Sequence, residues 1–290
     1  MNSTFPSIAD YKSTVVQHFG DAAQDYDRYA ELQRQCAQQL LERISAQSLH
    51  IPDGIILEVG CGTGFVTQAL IQTFPHRYLE ITDLSPQMIQ ACQANLIIPS
   101  AQADRITFHV LDGEAICQTE WRYALIVSGF VFQWFTNPIQ SLHRLISCLQ
   151  PGGWLCLSFP GKHSFPEWRA VCHRLNLPFT ANPLPNPEQL QRQLPLDAMT
   201  RHLETVQFTI SYTSAIEFFR SLKRIGADVS RSKMQLSPAQ LKQLLRHWDD
   251  QQRLPNGNQD DQPKDDQPEA SAKPRITVTY DVVFWLMQRM

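Results

Sequence analysis

The chain has 290 residues, an apolar share of 43%, a charged share of 18% and a formal net charge of -3 at pH 7. That length suits one large α/β domain with an elaboration, or two small domains, and the charge excludes a global pull toward nucleic acid or an anionic membrane. No run approaches the roughly 18 apolar residues that a membrane span needs. Seven cysteines, Cys36, Cys61, Cys92, Cys117, Cys148, Cys156 and Cys172, are dispersed without a C-x-x-C pair. They read as reduced thiols of a cytoplasmic protein, and neither a disulfide frame nor a metal site is expected. The polar start, without an apolar segment, carries no secretory signal pattern.

Residues 1–50 read as polar and helical. Val15, Val16, Phe19, Ala22, Ala23 and Tyr26 recur at mixed three-and-four spacing, which predicts an amphipathic helix. A second helix is predicted through Leu32, Cys36, Leu40, Leu41 and Ile44, and Pro52-Asp53-Gly54 marks a turn. The pattern then alternates. Ile55–Val59 reads as a buried strand, Phe65–Phe74 as a helix and Tyr78–Thr82 as a strand; Ser85-Pro86 is a helix start. Ile106–Val110, Tyr123–Ser128 and Trp154–Phe159 are three more strands, with a helix over Ile139–Leu149 stopped by Pro151-Gly152-Gly153. Strands alternating with helices predict a doubly wound, mostly parallel α/β sheet.

The last third differs. Val206–Tyr212 and Ile276–Val283 alternate and are expected to pair at the edge of the sheet. A helical insert lies between them, followed by a stretch rich in Asp, Gln and Pro that reads as a solvated, disordered loop. The expected organisation is an N-terminal helical lid over 1–50, a core over 51–213, a helical substrate insert over 214–250, the polar loop over 251–274 and a final edge strand over 275–290.

A strand, then Gly60-x-Gly62-x-Gly64, then a helix brings backbone N–H groups beside a ligand. Alone this is weak evidence. The dinucleotide fingerprint has its third glycine where Phe65 stands, so a nicotinamide is disfavoured. Glu58 leads the loop, which suits a ligand carrying an ammonium group. Asp83, at the end of the next strand, can accept hydrogen bonds from ribose hydroxyls, or serve only as a charge near a helix start. Asp112-Gly113-Glu114, after the third strand, offers a carboxylate to an adenine amino group, or is a plain surface turn.

Together, Glu58-Val59-Gly60-Cys61-Gly62-Thr63-Gly64, Thr82-Asp83-Leu84-Ser85-Pro86-Gln87-Met88, Asp112-Gly113-Glu114 and Leu149-Gln150-Pro151-Gly152-Gly153-Trp154-Leu155 resemble the motifs of class I S-adenosylmethionine methyltransferases. The resemblance implies a Rossmann-like, seven-stranded, mostly parallel sheet with an antiparallel last strand, N-terminal lid helices and a helical insert before that strand. It implies S-adenosylmethionine as methyl donor, with Glu58, Gly60, Cys61, Gly62, Gly64, Asp83, Leu84, Met88, Asp112, Gly113 and Ser128 as cofactor-binding residues and no metal.

The flanks narrow the acceptor. His18–Asp27, Gln133-Trp134 and Ser164–Arg169 are similar to segments of the malonyl-(acyl-carrier protein) O-methyltransferases of biotin synthesis. Phe218–Ala227 resembles that family's Leu-Arg-Ser-Leu-Lys-x-Ile-Gly-Ala-Asn segment, with Asp228 where the family has Asn. The resemblance implies methylation of the free carboxylate of a malonyl thioester on an acyl carrier protein, or on coenzyme A. Methylation of a quinone, a phenol or a free dicarboxylate remains an alternative, as does a cofactor-binding regulator without turnover.

A carboxylate is already ionised at neutral pH, so no general base is nominated. Tyr26 is the candidate lid residue near the methyl, or an ordinary core aromatic. Arg220, Lys223 and Arg224 fall at helical spacing on one face and are candidates for clamping the substrate carboxylate. With Arg231 and Lys233, the same face could instead dock an acidic carrier protein, or simply be solvated. Gln133 and Trp134 are candidates for the pocket wall.

Overall fold

A computed structural model describes residues 8–47, 49–116, 122–231, 235–251 and 276–290. Helices α1 (Ile8–Ala22), α2 (Tyr26–Tyr29) and α3 (Glu31–Ala46) precede β1 (Ile55–Val59), α4 (Phe65–Thr73), β2 (Leu79–Asp83) and α5 (Pro86–Asn95). Next come β3 (Ile106–Val110), β4 (Tyr123–Gly129), α6 (Pro138–Cys148), β5 (Leu149–Pro160), α7 (Pro166–Arg174) and α8 (Pro187–Gln191). The chain closes with β6 (Ala198–Tyr212), α9 (Ala215–Arg224), α10 (Pro238–Gln251) and β7 (Ile276–Arg289). No described helix is long and apolar enough to cross a membrane.

The seven strands form one sheet in the order β3-β2-β1-β4-β5-β7-β6. Strands β1 to β5 pair in parallel, while β7 runs antiparallel to both β5 and β6. The expected mostly parallel sheet with an antiparallel last strand is therefore present. The sequence alternates within each strand and divides two cores. Ile56, Leu125, Val127, Cys156, Phe284 and Leu286 pack against α3, α4, α5, α7 and α10 on one face. Leu57, Ile126, Leu155, Leu157, Trp285 and Met287 pack against α6 on the other. A period of two is what sends neighbouring side chains to opposite layers.

The last strand departs from its expected place. β7 is not the edge: it inserts between β5 and β6, and β6 takes the edge. Residues Tyr280–Met287 are buried without interruption, whereas β6 alternates between exposed and half-covered positions. A strand apolar on both faces needs neighbours on both sides; one that carries Arg201 and Glu204 tolerates solvent. Those charges also hid the first half of β6 from the sequence reading, which began the strand at Val206. Glu204 is held by Arg43 of α3 at 2.8 Å. Nearly all of the polar 251–274 segment, and Lys233, fall outside the described residues.

Strand order reverses at β1, with β2 on one side and β4 on the other. Ligands of open α/β sheets bind at the carboxyl edge beside such a switch point. The glycine loop after β1, Asp83 at the end of β2, Asp112 after β3 and Phe130 after β4 all lie on that edge. Local sequence fixes the helix starts there. The Ser85 hydroxyl accepts the Met88 N–H at 3.3 Å ahead of α5, and Asn137 accepts the Gln140 N–H at 3.1 Å ahead of α6.

Candidate active site

The glycine loop is tied to β2: the amides of Gly60 and Cys61 both donate to the Thr82 carbonyl, at 2.8 and 2.9 Å. At Gly62, φ is +53°, and a Cβ added there would meet nothing within 4 Å. The missing side chain therefore leaves open space against the cavity that the loop lines. Across it stands Asp83. Its Oδ2 accepts the Gly62 N–H at 2.9 Å, and its Oδ1 accepts the Ser85 N–H at 2.8 Å. Burial pushes the Asp83 carboxyl up, against the opposing effect of these amides. Each oxygen keeps acceptor capacity for a further donor, which fits a vicinal diol.

Gly60, Cys61, Gly62, Asp83, Leu84, Met88, Asp112 and Gly113 all line this one cavity, together with Tyr26. Tyr26 is buried, its ring centroid is 6.4 Å from that of Phe65, and burial followed by the Asp83 charge pushes its phenol up, so it stays a neutral hydroxyl. Three nominated cofactor residues stand behind the wall instead. Gly64 begins α4 at φ +105°. The Ser128 hydroxyl donates to the Val59 carbonyl at 2.8 Å, which ties β4 to β1. Glu58 turns into the core, where its Oε2 accepts the Thr67 hydroxyl at 2.7 Å and its Oε1 is buried without a hydrogen-bond partner. Burial, then the Cys92 sulfur, push the Glu58 carboxyl well above the usual range. The ammonium-accepting role expected of Glu58 does not match this orientation. The side chain stitches β1 to α4 under the loop.

The helix expected as a lid roofs this cavity, and no sequence motif pointed to its fastening. Tyr11, Lys12, Val15, Val16 and Phe19 of α1 line the same cavity from above. The Lys12 ammonium reaches Asp112 at 2.6 Å and Glu114 at 2.8 Å. Glu114 also accepts the amides of Thr136 and Asn137 at 2.8 and 3.0 Å and the Ser141 hydroxyl at 3.1 Å, which fastens the start of α6. Burial alone would raise this carboxyl, but the bonds from Asn137, Lys12 and Thr136 outweigh it and hold Glu114 at about 2. Asp112, expected to read an adenine amino group, spends Oδ2 on Lys12 and Oδ1 on the Glu114 amide at 2.9 Å. A further donor would have to share those oxygens.

A second chamber adjoins the first, and the two share Gln33, Phe130 and Trp134. Aromatic and aliphatic side chains dominate its wall, including Phe165, Trp168, Phe219, Leu222 and Tyr280, with Gln133 and Lys223 among the polar members. The Gln133 amide donates to the Phe130 carbonyl at 2.7 Å, and this leaves its Oε1 buried and unpartnered. Trp134 lines both cavities and meets Phe19 of the roof edge-on, with ring centroids 5.2 Å apart. The expected cationic face on α9 divides. Lys223 lines the chamber, but Arg220 is 59% exposed and donates to Glu217 at 2.6 Å. Arg224 also pairs with Glu217, at 3.3 Å, and lies over the Tyr29 ring. One glutamate on the same helix face therefore draws both guanidiniums away from the chamber, and Arg220 is not brought to it as a clamp.

Arg231 does not join a docking face either. Its guanidinium donates to the Trp134 and Phe135 carbonyls and sits 4.7 Å from the Tyr11 ring centroid. The insert instead meets the roof. Gly226 has φ +71°, and a Cβ there would come within 2.8 Å of the His18 carbonyl oxygen. Two residues on, Asp228 pairs with His18 at 2.7 Å.

A methyltransferase domain family matches residues 57–155, the segment from β1 into β5. The chain is 33% identical over 239 residues to the biotin biosynthesis bifunctional protein of Bordetella avium, covering 82% of this chain and about half, 49%, of that protein's length. It is 32% identical to the malonyl-(acyl-carrier protein) O-methyltransferase of Magnetococcus marinus, covering 80% of this chain and 84% of the relative. Among solved structures, the YcgJ protein of Bacillus subtilis superposes with a TM-score of 0.52 at 14% identity, over 87% of this chain and 98% of that one, a likeness of fold alone. With the cradle at Gly62 and Asp83 in place, the chain belongs to the malonyl-(acyl-carrier protein) O-methyltransferase family of S-adenosylmethionine-dependent methyltransferases.

Proposed function

We propose that this protein methylates the free carboxylate of a malonyl thioester carried on an acyl carrier protein, giving the methyl ester that enters biotin synthesis. The observation that carries the reading is the pair of adjoining cavities. A cradle suited to a nucleoside meets a largely apolar chamber at Gln33, Phe130 and Trp134. Names borne by relatives such as those of Magnetococcus marinus and Bacillus cereus supply the acceptor.

Asp83 would hold the ribose hydroxyls, the glycine loop at Gly60–Gly62 would pack its backbone against the amino-acid part, and Leu84 and Met88 would flank the base. When bound, S-adenosylmethionine supplies a methyl carbon that bonds to a carboxylate oxygen, while the electron pair of the broken carbon–sulfur bond stays on sulfur and no proton moves. The protein's work is therefore positioning, which can supply roughly 7 kcal/mol or more. Helix α1 acts as a lid that excludes water, and residues 214–250 act as the insert that completes the acceptor chamber. Lys223, exposed where it lines that chamber, offers a cation to an anionic arm entering from solvent.

The test compares malonyl carrier protein, malonyl-CoA and free malonate as acceptors, with the methyl ester followed by mass. Ester formed fastest on the carrier-linked substrate is expected. Ester on free malonate alone, or on none of the three, would overturn the reading.

A further inference from the structure

Gln33 stands where the two cavities meet, and no motif named it. Of the three side chains common to both walls, Phe130 and Trp134 bring aromatic rings and Gln33 brings the carboxamide. Its helix, α3, is anchored on either side of it. Leu32, Cys36 and Ala37 are buried in the core or beneath the cavity. Arg34 donates to the Asp27 carbonyl at 2.9 Å and lies over the Phe65 ring at 4.7 Å. Gln33 thus lines both the cofactor cradle and the acceptor chamber from a fixed helix turn.

We infer that Gln33 donates a hydrogen bond to one oxygen of the acceptor carboxylate and aims the other at the methyl group; this rests on the carboxyl-methyltransfer reading above. A neutral donor suits the task. A guanidinium gripping both oxygens would form charge-assisted bonds about twice as strong and would drain charge from the attacking oxygen. A carboxamide N–H orients the group and leaves one oxygen free. The cations on α9 are compatible with this division: Arg220 and Arg224 are held by Glu217, and Lys223 is exposed to solvent. Gln133 is unsuited to the same role, because its N–H already serves the Phe130 carbonyl and its free atom is an acceptor, which a carboxylate would repel.

The experiment uses full-length wild type, Gln33→Leu and Gln33→Glu with S-adenosylmethionine and malonyl carrier protein. Affinity for S-adenosylhomocysteine and the melting temperature are measured on each. For Gln33→Leu, kcat/KM is expected to fall about 10- to 100-fold with inhibitor affinity held within about twofold. Gln33→Glu is expected to be worse at neutral pH. Its turnover should recover as the pH falls and the new carboxyl, raised by its anionic neighbour, becomes a donor again. Should Gln33→Leu fold poorly, the pH profile of Gln33→Glu decides alone. Undiminished turnover in Gln33→Leu, or a Gln33→Glu profile parallel to wild type, overturns the inference. A wild type that does not methylate the carrier substrate overturns the underlying reading instead.

Discussion

At the scale of single residues, the two carboxylates near the glycine loop separate by where they point. Asp83 faces the cavity with both oxygens oriented by backbone amides; Glu58 faces Thr67 in the core. Asp83→Ala is therefore expected to weaken S-adenosylhomocysteine binding by at least about tenfold, the value of one or two hydrogen bonds to a charged group. Glu58→Gln should leave that affinity within a few-fold and act on melting temperature. Calorimetric titration of both variants checks the pair, and a Glu58→Gln loss equal to that of Asp83→Ala would return Glu58 to the ligand. The place of Asp83 beside the cavity was legible because strand, acid and helix cap are consecutive in the chain. Lys12 and Gln33 were not. The Lys12–Asp112 bond joins residues 100 positions apart, and no local pattern encodes such a meeting. Arg220 failed for a related reason: spacing put three cations on one face, but it did not show that Glu217 shares that face and neutralises two of them.

At the scale of elements, the roof is fastened at two points with different chemistry. The first is ionic. Glu114 joins α1, through Lys12, to the start of α6, and its carboxyl lies below the ordinary value, at about 2. A depressed carboxylate contributes stability that is complete above the unfolded value near about 4.3 and is lost as pH falls toward the folded one. Glu114→Ala should cost about 3 kcal/mol at neutral pH, since it removes the acceptor of the Thr136 and Asn137 amides and leaves Lys12 with Asp112 alone. The gap in melting temperature between variant and wild type should shrink as pH falls from about 5 toward 2. A gap constant across that window would contradict this role. The second fastening is steric. Gly226, in the insert, abuts His18 and Phe19 of α1 in a backbone conformation that costs a side-chain-bearing residue about 1–2 kcal/mol. Gly226→Ala is expected to lower the melting temperature and to weaken S-adenosylhomocysteine binding by displacing α1. Unchanged affinity in a destabilised variant would uncouple insert from roof. The glycine in the family-like segment thus has a physical reason that the sequence pattern alone did not supply: it lets the insert touch the roof.

At the scale of the whole molecule, the parallel half of the sheet was readable because buried parallel strands are short apolar runs punctuated by glycine, proline or a helix cap. Ile55–Val59 matches its expected limits, and so does Ile106–Val110, an edge strand of which only Ile106 is buried. The antiparallel half was harder. The charges of β6 masked its first residues, and the position of β7 depends on a partner on each side, which alternation alone does not reveal. That arrangement matters for function. β7 carries Tyr280 to the acceptor chamber, and the insert before it supplies Phe219, Leu222 and Lys223 to the same wall. The first cavity is thus built by the first strands and the second largely by the last elements, with Gln33 of α3 at the junction. The most direct measurement is a crystal structure of the protein with S-adenosylhomocysteine and a malonyl pantetheine thioester. The expected result places the ribose on Asp83, the thioester arm in the chamber along the wall that Phe219 and Leu222 line, and the malonyl carboxylate at Gln33. A thioester arm entering from any face other than the chamber lined by Lys223 would contradict the account.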